Sequence, residues 1–355
     1  MGSWTLLRNL ERGSEKMWDI IRMQLLFSAD TTDLSYWLNW RVLPCAICVL
    51  TPMVAAFFVI WKYEDFGSGK AARRGPQQDV PQLLRGEDAW RPCLREIHPA
   101  WLLAYRISAF CLLLTTLIIR LLYSGGHMYF YYTQWTFTLV TIYFGFGSFL
   151  SINGCYQYHK LSMRDFIIHS GTDAEQGYYV PLTSEQSRSV HETRNISNLK
   201  EASKAAGIDT YLFQVIFQMN AGAVVLTDCI YWFFIFPFLT IKDYDLNFMT
   251  VNMHTSNVIL LLGDTVLNSL GFPFFRMAYF ILWTGAFVIF QWILHACIPV
   301  WWPYPFLDLS LPYAPLWYFL VALLHVPCYG MFSLVIRIKN SLFSKWFSHS
   351  YVCLR

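Results

Sequence analysis

The chain has 355 residues, of which 55% are hydrophobic and 14% are charged, and its formal net charge is +3. Soluble domains carry about 25% charged residues, so this composition excludes a soluble domain and indicates a protein whose surface faces lipid. A net charge this small gives no sign of a nucleic-acid partner.

The N-terminal segment, residues 1–42, mixes charged and apolar side chains and lacks the uninterrupted apolar region of a cleavable signal peptide. Its large apolar residues include Trp4, Leu7, Leu10 and Trp18. This pattern is typical of an amphipathic helix that lies on the membrane surface. A loosely ordered soluble arm has the same composition, and the sequence does not decide between the two.

Seven stretches are apolar and long enough to cross a bilayer as helices. A span needs about 20 mainly apolar residues, and a helix can cross hydrocarbon because its backbone hydrogen bonds are satisfied internally. The predicted spans are 43–61, 101–123, 128–152, 212–239, 246–268, 277–298 and 314–336. The sequence therefore predicts an all-α fold, a polytopic integral membrane helix bundle with seven spans.

Two arginines, Arg106 and Arg120, lie near the ends of the second predicted span. Long basic side chains at such positions usually reach the membrane surface. Both arginines are therefore expected to extend toward water.

The basic residues predict the orientation of the bundle. They are concentrated in the linker 62–98, the loop 153–211 and the residues after 336, whereas the turns 124–127, 240–245 and 299–313 contain one lysine between them. Loops rich in Lys and Arg stay cytoplasmic. This distribution predicts an outside N-terminus and a cytoplasmic C-terminal tail, 346–355, although five basic residues before the first span oppose it. The plasma membrane and the endoplasmic reticulum both fit.

The fifth span carries a polar stripe. At about 100° per residue, one side of this helix presents Thr250, His254, Asn257, Asp264 and Asn268. Polar groups inside a bilayer cost free energy, so this side must face other helices. The stripe either forms interhelical hydrogen bonds or belongs to a functional site, and its histidine and aspartate favour the second interpretation.

Thr133, near the start of the third span, is the candidate partner of His254. With 1.5 Å per residue, Thr133 lies about 9 Å and His254 about 13 Å below the same outer surface. The aromatic segment 299–307 would cover this region at the interface. A threonine and a histidine at similar depth predict a lipid-accessible pocket in which His254 activates Thr133 as a nucleophile.

Other polar residues could support this pair. Asp264 or Asn257 could orient His254, and Asp228 on the fourth span could do so instead or serve as a structural partner. Thr250 and Tyr304 complete the predicted pocket.

The sequence predicts no metal and no cofactor. None of the nine histidines lies within five residues of another, unlike the clustered ligands of membrane di-iron enzymes. Cys45 and Cys48 have CxxC spacing, but they lie in an uncharged apolar run, where thiols usually serve as packing residues.

Several short blocks of sequence resemble a known family. They are Gly-Gly at 125–126, Tyr-Tyr-Thr at 131–133, Thr-Ile-Tyr-Phe-Gly at 141–145, Met-His-Thr at 253–255 and Tyr-Pro-Phe-Leu at 304–307. In this order they resemble the motifs of the androgen-induced-protein family. The Thr-Gln-Trp-Thr-Phe-Thr block at 133–138 resembles the related rolling-stone proteins and plant membrane proteins. The resemblance covers a six-span core, 99–345, and leaves 43–61 as an added first span.

This resemblance implies an intramembrane threonine hydrolase that cleaves esters of hydroxy fatty acids, with Thr133 as nucleophile and His254 as base. Two departures stand out. The Asn-His pair that the family has upstream of Met-His-Thr is Thr250-Val251 here, and the loop 153–211 is much longer. These departures leave open a different substrate, or a fold that is kept without catalysis.

The alternative function is a non-catalytic membrane receptor, transporter or scaffold that keeps the same fold. The common receptor family is not resembled, because no Asp-Arg-Tyr follows the third span and no Asn-Pro lies in the last. A transporter favours internal repeats and interrupted helices, and neither is evident. In both cases the expected partners are membrane lipids and a small lipid-like substrate or ligand.

Overall fold

The structure is a computed structural model and describes residues 31–64, 86–174, 207–235 and 248–351. The described part is all-helical, with 82% of residues in helices and no strands. Its long helices are α1 (Val42–Tyr63), α2 (Pro99–Ser124), α3 (Tyr132–Ala174), α4 (Ile208–Ile230), α5 (Phe248–Leu267), α6 (Met277–Cys297) and α7 (Ala314–Trp346). A π-helical turn, Tyr231–Ile235, follows α4 directly.

Six helical stretches in the described ranges are long and apolar enough to cross a membrane. They are Val42–Tyr63, Pro99–Phe130, Tyr132–Lys160, Ile208–Phe233, Phe274–Cys297 and Ala314–Trp346. The prediction of a multi-pass helical membrane protein is therefore confirmed. The helix α5 is not among the six, and His254, Asn257 and Asp264 interrupt its apolar sequence.

Two predicted boundaries differ from the structure. The helix α3 continues to Ala174, so the first part of the predicted loop 153–211 is helical. Hydropathy marks only the apolar part of a helix, whereas the backbone continues as a helix through polar residues that favour it. The end of the predicted linker 62–98 is also structured, because Ala89, Trp90 and Cys93 are buried. The segments 1–30, 65–85, 175–206, 236–247 and 352–355 of the predicted arm, linker, loops and tail lie outside the described residues.

The described helices form two compact units. The first contains residues up to 64, 130–132 and 278–327, and the second contains 86–129, 133–277 and 328–351, with the gaps given above. The division falls within α3, α6 and α7, after Tyr132, Met277 and Pro327.

In the first unit, the segment before α1 is attached to the loop between α6 and α7. The Tyr36 hydroxyl donates to Asp308 Oδ1 at 2.7 Å and accepts from the Leu309 N–H at 3.0 Å. Arg41 Nη1 donates to the Ser310 carbonyl at 2.6 Å. Burial, and then the hydrogen bond to Asp308, raises the pKa of Tyr36 above its ordinary value. The tyrosine therefore stays protonated and keeps its role as donor.

In the second unit, aromatic side chains fill the space between α3, α4 and α7. Tyr143 stacks on Phe213 with ring centroids 4.7 Å apart, and Phe217 contacts both Tyr143 and Phe332. All four rings are buried. Because aromatic side chains bury large areas and interlock in preferred geometries, this cluster fixes the positions of the three helices.

The C-terminal end of α5 is held by two other parts of the second unit. Lys339 on α7 donates from Nζ to the carbonyls of Thr265 and Asn268 at 2.8 and 2.7 Å. The Cys93 N–H donates to the Leu267 carbonyl at 2.8 Å. The last carbonyls of a helix have no partner within the helix, so these donors satisfy groups that would otherwise be buried without partners.

Gly263 marks a close approach between α5 and α2. The Tyr105 ring lies over Gly263, and its hydroxyl donates to the Leu260 carbonyl at 2.8 Å. A Cβ atom at position 263 would overlap the Tyr105 hydroxyl. The glycine therefore allows α2 and α5 to pack closely, as small residues do in membrane bundles.

We expect Gly263→Ala to lower the free energy of unfolding by about 1–3 kcal/mol, because the added methyl group displaces Tyr105. Gly330→Ala on α7 is the matched control, since a Cβ atom there meets nothing within 4 Å. The control should be neutral or should stabilise by up to about 1 kcal/mol, because alanine favours helix more than glycine. Unfolding of the purified variants in detergent–SDS mixed micelles measures both. Equal effects at the two positions would contradict the close contact.

Candidate functional site

A buried ion pair joins α2 to α5 in the second unit. Arg106 Nε donates to Asp264 Oδ1 at 2.7 Å, and both side chains are 0% exposed. Arg106 Nη2 reaches the other carboxylate oxygen at 3.4 Å. Arg106 therefore does not extend to the membrane surface, and the sequence-based expectation for it is wrong. A buried opposite charge is a better partner for the guanidinium than a distant interface.

Further hydrogen bonds surround the ion pair. Arg106 Nη1 donates to the Ala89 carbonyl at 2.6 Å and to Ser151 Oγ at 2.8 Å. Asp264 Oδ2 accepts from the Tyr143 hydroxyl and from Asn268 Nδ2, the latter at 2.8 Å. Every guanidinium nitrogen and both carboxylate oxygens have partners. A buried charge network in which all these polar atoms have hydrogen-bond partners is typical of a structural element.

A second polar cluster lies ten residues earlier along α5, beside the end of α4. His254 Nδ1 is 3.6 Å from Asp228 Oδ1, which is within ion-pair range but longer than a hydrogen bond. The Tyr231 ring stacks on the His254 imidazole, with centroids 3.6 Å apart and an interplanar angle of 8°. We refer to Asp228, Tyr231, His254 and Asn257 as the histidine cluster. Tyr231 was not among the residues predicted from the sequence, although it lies one turn after Asp228.

The histidine cluster differs from the ion-pair network in its hydrogen bonds. Four of its polar atoms are buried and have no hydrogen-bond partner among the described residues. They are Asp228 Oδ1, His254 Nδ1, and Nδ2 and Oδ1 of Asn257. Buried polar atoms are nearly always paired in native proteins, and in a membrane no bulk water compensates. Such atoms are typical of a site that binds a polar group from outside the chain.

Thr133 is buried near the start of α3, and its neighbours on α3 contact residues adjacent to the histidine cluster. Its neighbour Gln134 places Nε2 at 3.5 Å from Met253 Sδ, next to His254. The Thr136 hydroxyl lies 3.2 Å from that of Thr227, next to Asp228.

Helix geometry then gives the level of Thr133. Thr133 is one turn before Thr136, and Tyr231 is one turn after Thr227. Thr133 therefore lies at about the level of the His254–Tyr231 stack. The hydrogen bonds of the described residues do not include one between Thr133 and His254.

The other predicted site residues have different positions. Asp264 belongs to the Arg106 network rather than to His254, and Asp228 is the carboxylate next to the imidazole. Tyr304 belongs to the first unit, where its hydroxyl accepts from the Tyr132 N–H at 3.1 Å. Thr250 lies on α5, but its side chain is outside the described residues.

A scan against protein-family models, a search of curated proteins and a search of solved structures each find no match to this chain. The resemblance to the androgen-induced-protein family therefore stays a prediction based on short motifs.

Proposed function

We propose that this protein is an intramembrane hydrolase of lipid esters. Thr133 is the nucleophile, His254 is the general base and Asp228 orients His254. The observation that carries this proposal is the Asp228–His254 pair, whose facing atoms are buried, 3.6 Å apart and otherwise unpaired among the described residues. A base held by a carboxylate beside a buried hydroxyl is the arrangement that activates Ser and Thr nucleophiles.

We also propose that α5 crosses the membrane as the fifth of seven spans, with the C-terminus in the cytoplasm. The lower hydropathy of α5 does not oppose this, because Asp264 is paired with Arg106 and both are fully buried. Polar residues are tolerated in a span when they face the protein interior. Positively charged loops favour the cytoplasmic side.

The proposed reaction has two half-reactions. With its Nδ1–H directed at Asp228, His254 accepts the Thr133 hydroxyl proton at Nε2 while Oγ1 attacks the ester carbonyl. The alcohol leaves with that proton, and the acyl group stays on Thr133. Water then attacks the acyl-threonine and gives a proton to His254. The fatty acid is released as the acyl–Oγ1 bond breaks, and Thr133 Oγ1 takes the proton back from His254. Catalytic hydrogen bonds are often long in a free enzyme and shorten when substrate binds, which fits the 3.6 Å separation.

Lipid is the proposed substrate class because the protein surface is apolar along the helices. Exposed large residues on α1 include Leu43, Ile47, Phe57 and Phe58. A substrate would reach α3, α4 and α5 from the bilayer. The resemblance described above narrows the class further, to esters of hydroxy fatty acids.

The second candidate function is a non-catalytic receptor, transporter or scaffold that binds lipid at the same cluster. The observation that favours it is the absence of a hydrogen bond between Thr133 and His254 among the described residues. A binding site needs the unpaired polar atoms of the cluster, but it does not need a nucleophile.

Labelling with a fluorescent fluorophosphonate probe tests the proposal. The wild type, Thr133→Ala and His254→Ala are purified in detergent, and each is first shown to be folded and monodisperse. We expect covalent labelling of the wild type and loss of labelling in both variants. The matched control is Thr138→Ala, on another side of α3, which should be labelled like the wild type.

Persistent labelling of Thr133→Ala would overturn the assignment of the nucleophile. A folded wild type that the probe does not label would favour the lipid-binding alternative.

A further inference from the structure

Asn257 has the least satisfied side chain of the histidine cluster. It is 1% exposed, and neither Nδ2 nor Oδ1 has a hydrogen-bond partner among the described residues. Asn252 on α5 and Asn268, which follows the last residue of α5, do have partners. Asn268 Nδ2 donates to Asp264 at 2.8 Å, and Asn252 Oδ1 accepts from the Ser256 hydroxyl at 2.5 Å.

This contrast argues against a role for Asn257 in helix packing. Moving an amide from water to an apolar environment without a hydrogen bond costs free energy. An asparagine that joined helices would recover this cost through a partner on the neighbouring helix. Asn257 has no such partner among the described residues, so its amide is suited to a group that binds from outside the chain.

The position of Asn257 specifies what that group could be. Asn257 lies one turn after His254, about 4.5 Å further along α5 at 1.5 Å per residue. Residues three apart share a helix face, so the Asn257 amide faces the same space as the imidazole. Thr133 lies on α3 at about the level of His254, as inferred above from the contacts of Gln134 and Thr136. An ester carbonyl attacked by Thr133 would therefore have an amide donor on the α5 side.

We propose that Asn257 holds the carbonyl oxygen of the bound ester and donates from Nδ2 to the oxyanion that forms when Thr133 attacks. This inference rests on the proposed hydrolase function. The Asn257 Oδ1 atom is left to accept from the alcohol that leaves or from the water that enters. Donors placed where negative charge develops often supply the largest single contribution to catalysis.

Asn257→Leu separates this role from a structural one. Leucine has the same branched arrangement of heavy atoms and replaces both unpaired polar atoms with methyl groups. Removing one oxyanion donor typically costs about 10²–10³-fold in rate. We therefore expect the maximal labelling rate with the fluorophosphonate probe to fall by that factor, with little change in the half-saturating probe concentration. The melting temperature should stay the same or rise, because a buried unpaired amide has been removed.

Asn268→Leu is the comparison variant, because it removes an amide that is paired with Asp264. It should lower the melting temperature while the folded fraction labels at the wild-type rate.

The outcomes distinguish the two proposals. Wild-type labelling rates in Asn257→Leu would overturn the role of Asn257 and leave the hydrolase intact. The role of Asn257 would also be overturned if Asn257→Leu lowered the melting temperature as much as Asn268→Leu does and labelled slowly only because part of the protein was unfolded. A folded wild type that is not labelled at all would overturn both.

Discussion

Asp264→Asn should lower the free energy of unfolding by about 3–5 kcal/mol, the usual loss when one partner of a buried ion pair is removed. The substitution keeps the shape of the side chain but leaves the Arg106 charge without a counter-ion at a position that is 0% exposed. It also weakens the hydrogen bonds that the Tyr143 hydroxyl and Asn268 Nδ2 donate to the carboxylate. Unfolding in detergent–SDS mixed micelles measures the change.

Arg91→Gln is the matched control for this prediction. Arg91 pairs with Glu87 at 2.9 Å, but the Arg91 side chain is 46% exposed. Exposed ion pairs contribute about 0–1 kcal/mol, so this variant should unfold almost like the wild type. If Asp264→Asn costs no more than Arg91→Gln, the Arg106–Asp264 pair is accessible to water rather than buried.

A double variant tests the cause of the loss. Arg106→Met with Asp264→Leu removes both charges, and replacing a buried ion pair with apolar residues is often neutral or stabilising. We expect the double variant to regain most of the stability lost in Asp264→Asn. A double variant as unstable as the single one would mean that packing and the remaining hydrogen bonds, rather than an uncompensated charge, are responsible.

Hydropathy was sufficient to predict most of the helices, because a span is defined by a long apolar segment. It did not predict the end of α3, which continues to Ala174 through polar residues. It also gave no information on the close contact at Gly263, because the ring above that glycine belongs to α2. Contacts of this kind depend on the packing between helices rather than on the sequence of one helix.

The polar stripe on α5 was predicted from helical periodicity, but the partners of its residues were not. Asp264 was a candidate to orient His254, whereas the structure pairs it with Arg106, 158 residues earlier in the chain. The relevant signal was present, since Arg106 and Asp264 are opposite charges in two apolar segments. Opposite charges within spans usually pair with each other. The close approach of Asp228 to His254 was one of several alternatives that the sequence left open.

Asp228→Asn should slow fluorophosphonate labelling of Thr133 by about 10²–10⁴-fold, since the corresponding change in Ser-His-Asp triads costs about 10⁴. A carboxylate can only accept a hydrogen bond, so Asp228 favours the tautomer of His254 with hydrogen on Nδ1 and leaves Nε2 free to accept a proton. An asparagine can instead donate to Nδ1. The imidazole would then carry its hydrogen on Nε2, where it cannot act as a base toward Thr133.

Two further variants complete this experiment. Asp209→Asn changes an exposed aspartate in the first turn of the same helix, α4, and should label at the wild-type rate. Asp228→Glu keeps a carboxylate near His254 and should recover part of the rate that Asp228→Asn loses. All variants should keep the wild-type melting temperature within a few degrees, because Asp228 Oδ1 has no hydrogen bond to lose among the described residues. If Asp228→Asn labels as fast as Asp209→Asn, then Asp228 does not set the tautomer of His254, and the Asp228–His254 pair is a packing contact.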